Sequence, residues 1–204
     1  MGLARSALIW AVLAAAIGVP VLLAATSPYL QWRDAIYIAA CFAGIVGLSL
    51  LLVQPLLIAG LLPGLPAFRA RRVHHWVGGA LVVAIIVHVA GLWITSPPDM
   101  LDALLFRSPT LFSPFGVVAM WAIFATATLA LVRRRLGLQT WRFTHLSLAA
   151  VIVGGSVIHG MLIEGTMETM SKAALCALVI AATIKVMADL WPRKKRAQRP
   201  TESP

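Results

Sequence analysis

The chain has 204 residues, of which 60% are apolar and 12% charged, and its mean hydropathy is +0.90. Soluble domains carry roughly 25% charged residues, so a soluble globular enzyme and a disordered chain are both excluded. The net charge of +10, from 17 Lys and Arg against 7 Asp and Glu, is read not as a nucleic-acid surface but as basic residues lining the cytoplasmic edge of a lipid bilayer.

Six apolar stretches follow in order: Leu8–Ala25, Ala35–Leu62, Val73–Thr95, Phe115–Val132, Phe143–Ile163 and Ala173–Leu190. At about 20 residues per span, they predict an all-α, six-helix transmembrane bundle with no room for a separate soluble catalytic domain. The runs are continuously apolar rather than alternating, which excludes a β-barrel. The first is read as a retained helix, although Arg5 and Leu23-Ala24-Ala25-Thr26 also suit a signal peptide. The second is long enough to tilt or to bend at Pro55. No internal repeat is apparent. Between the third and fourth spans, Met100–Phe106 suggests a short interfacial helix, read as a connector, with a cover over the outer site or an acceptor dock as the alternatives. The chain divides into 1–34, a core at 35–191, and a basic tail at 192–204.

Charge sets the expected orientation. With the N-terminus inside, cytoplasmic segments hold Arg5, Arg69, Arg71, Arg72, Arg133, Arg134, Arg135 and Arg142, and the tail adds Arg193, Lys194, Lys195, Arg196 and Arg199. The opposite side gathers Asp34, Asp99, Asp102, Glu164 and Glu168. Both termini are therefore expected in the cytoplasm. Glu164 and Glu168 read as an attractor for ferric ions or a basic partner, or, equally, Glu168 with Lys172 as an exposed i,i+4 pair. Cys41 and Cys176 fall inside apolar runs and read as packing residues.

All five histidines fall in two spans. His74 precedes His88 by fourteen residues, and His145 precedes His159 by fourteen. On a helix that interval rises about 21 Å and returns to within roughly 40° of the starting direction. Spans three and five run the same way, so His74 and His145 share an inner level, and His88 and His159 an outer one. Ionisable groups at such depth point into the bundle. Two facing imidazoles suit the axial positions of a haem iron; bare zinc or copper asks for further ligands. His75 lies about 140° round the helix from His88, so His74 is read as the inner ligand, with His75 the alternative. Arg71, Arg72 and Arg142 stand at the inner edge as candidate haem-propionate contacts. Trp76 and Trp141 there suit an aromatic belt. A non-redox transporter or proton pathway with relay histidines competes, but would ask for acidic groups at depth, and only Asp189 approaches that. No GxSxG, HExxH, Walker A or GxGxxG pattern occurs in a suitable context.

Arg72-Val73-His74-His75-Trp76-Val77-Gly78 resembles the His-Arg-Trp-Leu-Gly opening of the third helix of the ferric reductase-like transmembrane domain. In that comparison His74 falls on the family histidine, His75 on its usual basic residue, and His88 on the second ligand. Trp141-Arg142-Phe143-Thr144-His145 resembles the opening of the fifth helix, which His159 completes. The resemblance covers about Ala35–Leu190. It implies two b-type haems carrying electrons across a bacterial inner membrane. Many members carry a fused flavin and nicotinamide domain, which these residues do not contain. The likeness is thus to the short stand-alone type, related to the haem-binding membrane subunit of the periplasmic methionine sulfoxide reductase system. It implies a separate flavin reductase or quinol as donor, and ferric iron or a periplasmic protein as acceptor.

Overall fold

A computed structural model describes residues 2–190. Among the described residues there are seven α-helices and no strand: α1 (Leu3–Ala25), α2 (Ala35–Ile58), α3 (Ala67–Thr95), α4 (Pro97–Leu104), α5 (Ser113–Leu131), α6 (Leu138–Leu162) and α7 (Thr169–Leu190). All but α4 are long and apolar enough to cross a membrane, so the chain is an all-α, multi-pass membrane protein. The basic tail at 192–204 lies outside the described residues.

Helix boundaries follow local chemistry. The apolar run ending at Leu62 stops as a helix at Ile58 because Gly60, at φ +64°, takes the left-handed conformation that closes a helix. Its N–H donates to Leu57 and that of Leu61 to Leu56, giving a Schellman motif. Pro55 lies in the last turn of α2. At the other end, α3 begins at Ala67 and α6 at Leu138, so the arginines before the apolar runs extend these helices rather than forming loops.

Lipid tails are as apolar as leucine, so close packing rather than apolar transfer holds such helices together. α2 pairs extensively with α3, and α5 with α6, forming two helical hairpins. α7 packs on α2 and α6, and α1 lies outside against α7 and α2. The central cluster joins Leu48, Leu51, Leu81, Ile123, Ile152 and Val179. Small residues set the hairpin spacing. A Cβ at Gly91 would lie 2.7 Å from Ala40 Cβ, and one at Gly155 would lie 2.9 Å from the Phe115 carbonyl oxygen. Buried hydroxyls are satisfied within their own helices: Ser49 donates to the Ile45 carbonyl at 3.0 Å and Thr183 to Val179 at 2.7 Å.

Two features of this packing frame the site. α3 and α6 face each other across the bundle with scarcely any direct backbone contact. α4 packs at the end of the bundle where α3 passes to α5: Met100, Ala103 and Leu104 line a cavity there. The segment expected as a connector joins α3 to α5 and also lines this cavity.

Candidate functional site

The outer histidines meet in one cavity. His88 on α3 and His159 on α6 both line an apolar space of about 260 Å³ enclosed by α2, α3, α5 and α6 beneath α4. Each imidazole is fixed by a backbone carbonyl of its hairpin partner. His88 Nδ1 lies 2.8 Å from the Ala40 carbonyl oxygen and His159 Nδ1 lies 2.9 Å from that of Phe112. A carbonyl only accepts, so each Nδ1 carries the proton and each neutral ring keeps its lone pair on Nε2. A second polar bond of this kind accompanies nearly every metal-ligating histidine.

A glycine completes each arrangement one turn beyond the acceptor. Gly44 follows Ala40 by four residues, and Gly116 follows Phe112 by four. A Cβ at Gly44 would stand 3.0 Å from His88 Nδ1; one at Gly116 would stand 2.5 Å from His159 Nδ1 and 2.7 Å from its Cε1. The absent side chains are what admit the rings. The Phe112 ring meets His159 edge-on, with centroids 5.7 Å apart. The α2–α3 and α5–α6 hairpins thus repeat one device: carbonyl, glycine four residues on, and histidine from the facing helix. No repeat was apparent in the sequence because the device uses two backbone atoms and a missing side chain.

The inner level is built differently. His74 on α3 and His145 on α6 face each other with ring centroids 6.3 Å apart and planes at 72°. Both are half-buried, whereas His75 is exposed. The Nδ1 atoms of His74 and His145 are buried without a partner among the described residues, as is Gln54 Oε1. Trp141 stacks on His145 at 5.1 Å and 15°, and the Arg133 guanidinium lies 5.2 Å from the Trp141 ring centroid. Its neighbour in the expected aromatic belt, Trp76, is 76% exposed. Trp141 is therefore a packing partner of the inner histidine rather than only an interfacial anchor; its position four residues before His145 is the signal that marks it.

The arginines separate. Arg142 donates from Nη2 to the Leu190 carbonyl at 2.8 Å, tying α6 to the end of α7. Arg71 and Arg72 are exposed on the first turns of α3. Asp189 is bound to Lys185 at 2.8 Å on an exposed face. Cys176 packs in the core, and Cys41 lines the outer cavity.

Lys172 departs most from its expected place. It is 5% exposed, lines the outer cavity, and donates from Nζ to the Ile163 carbonyl at 2.6 Å. Glu168, expected to pair with it, instead accepts from the backbone N–H groups of Ser171 and Met170 at 2.7 Å each, at the start of α7. These bonds hold its exposed carboxyl below the usual glutamate range.

Residues 43–156, more than half of the chain, match the family model described as ferric reductase like transmembrane component. The chain belongs to this family. The matched segment runs from α2 through most of α6 and includes His74, His88 and His145; His159 lies three residues beyond it. Membership suggests transmembrane electron transfer, and the family typically binds haem. No curated protein and no solved structure matches the chain.

Proposed function

We propose that this protein is a di-haem b-type electron carrier. His74 and His145 would hold the inner iron, His88 and His159 the outer one. The observation that carries the reading is the outer pair: two imidazoles on one apolar cavity, each with Nδ1–H committed to a carbonyl and Nε2 free. The inner pair fits the same use. Their ring centroids stand 6.3 Å apart, so both imidazoles are available at one level. Among the described residues no three of His, Cys, Asp and Glu gather, so each level offers the two donors a haem needs rather than the four of a structural zinc site. When bound, each haem would supply a one-electron iron couple.

The chain's residues do the rest. The Ala40 and Phe112 carbonyls hold the outer rings in one tautomer, Gly44 and Gly116 let them approach the hairpins closely, and Trp141 packs on the plane of His145. The wall of the site is apolar and α4 contributes to it. Arg71, Arg72 and Arg142 lie at the basic edge, where inner propionates would find cations; Arg142 already bonds Leu190, which leaves Arg71 and Arg72 the freer partners. Both termini would be cytoplasmic in a bacterial inner membrane, with residues 35–191 as the haem-binding core. Electrons would come from a flavin reductase or quinol inside and leave to ferric iron or a periplasmic protein. In vesicles containing ferricyanide, the reconstituted protein should speed its reduction by an external impermeant donor, and Ala in place of both His88 and His159 should abolish the gain. Equal rates in the two preparations would refute the function.

A further inference from the structure

Lys172 is the one lining residue of the outer cavity that carries a formal charge; the rest, apart from His88 and His159, are apolar or neutral. A cation so placed is costly unless an anion meets it. Its Nζ makes a single bond, to Ile163 at the end of α6, which leaves two of its three N–H donors for another partner. Among the described residues no carboxylate pairs with it; the one ion pair is Lys185–Asp189. Glu168 accepts from the backbone N–H groups of Met170 and Ser171; with the exposed Glu164 it lines the polar groove beside Lys172 without an ion pair to it.

Lys172 also stands between two spaces. Together with Ile163, Gly165, Thr166 and Met167 it lines both the outer cavity and a more polar groove that opens between the α1–α2 and α6–α7 loops. A flat apolar ligand in the cavity with a carboxylate at its edge would put that carboxylate where the lining changes from apolar to polar. Lys172 is held at that edge.

We infer that Lys172 is the binding partner of an outer-haem propionate, fixing the orientation of the macrocycle and compensating its charge. This rests on the di-haem reading above. The ammonium offsets the propionate's negative charge and so favours ferrous iron; without it the ferric form gains. The test is a potentiometric titration of both haems in the full-length protein and in Lys172→Gln and Lys172→Arg. Glutamine can still donate to Ile163, so it separates charge from tether. At the wild-type midpoint, Lys172→Gln should lower the reduced-to-oxidised ratio of the outer haem about tenfold, equivalent to about 59 mV for one electron. The inner haem should titrate unchanged, and Lys172→Arg should stay within about twofold of wild type. Loss of the outer haem in the Gln variant with retention in the Arg variant supports the pairing equally. A Gln variant that titrates as wild type overturns it. So does loss of the outer haem from both variants, which marks a purely structural residue. A wild-type protein without haem would instead remove the di-haem reading itself, before either variant is made.

Discussion

Gly116→Ala tests the outer site at its tightest point. Carbon reaches ordinary contact with a neighbouring heavy atom at about 3.5 Å, while the new methyl would begin 2.5 Å from His159 Nδ1. The overlap is about 1 Å, and parting the helices would forfeit the close α5–α6 packing at Gly155 and the Phe115 carbonyl. The ring must retreat, and its 2.9 Å bond to Phe112 stretches beyond about 3.5 Å, where it ceases to be a hydrogen bond. A buried donor left unpaired costs about 1–3 kcal/mol, which matches the 10–100-fold loss of metal affinity typical when such a supporting contact is removed. Gly44→Ala should act in the same direction but less, because its overlap with His88 is only about 0.5 Å by the same contact distance. Gly79 and Gly154 have open space where a Cβ would go; alanine there should leave haem content unchanged, and the better helix propensity, about 1 kcal/mol, acts toward stability. Haem per chain in the purified variants is the assay. The order expected is Gly116→Ala lowest, then Gly44→Ala, then the two controls with wild type. Full haem content in Gly116→Ala would refute the argument that these glycines admit the ligand rings.

Three further predictions concern other parts of the structure. Ala at His74 should remove the inner haem and leave the outer one, whereas Ala at His75, which is exposed, should leave both; optical haem counts check this, and loss in both variants would contradict the assignment. Trp141→Leu removes the ring stacked on His145 and should change the inner haem's low-temperature absorption band or weaken its binding, while Trp76→Leu should do neither. Glu168 has its carboxyl lowered by its bonds to Ser171 and Met170, so its stabilising effect on the start of α7 is complete above the unfolded value of about 4.3 and is lost as pH falls through the lower folded value. Thermal midpoints between about pH 6 and about pH 3 should therefore fall less in Glu168→Gln than in wild type.

The six spans were legible because each is a continuous apolar run, and the facing of His74 and His145 because fourteen residues bring a helix back to nearly the same side. Boundaries were less so: Arg69, Arg71 and Arg72 look like a loop by hydropathy yet sit within α3, since helical hydrogen bonding continues into the interface whatever the side chains. The supports of the outer histidines were not legible at all. Backbone carbonyls at Ala40 and Phe112 have no side-chain signature, and Gly44 and Gly116 resemble any small packing residue. Lys172 was misread for a related reason. The i,i+4 rule looks along one helix, while its position is decided by α6 and by the cavity between helices.

The central claim is that each histidine pair closes on one iron. Electron paramagnetic resonance of the oxidised protein addresses it directly. Two low-spin ferric signals of bis-imidazole type are expected in wild type, with the His159→Ala protein retaining the inner one alone. A protein without iron, or one whose haem is high-spin at both levels, would contradict it.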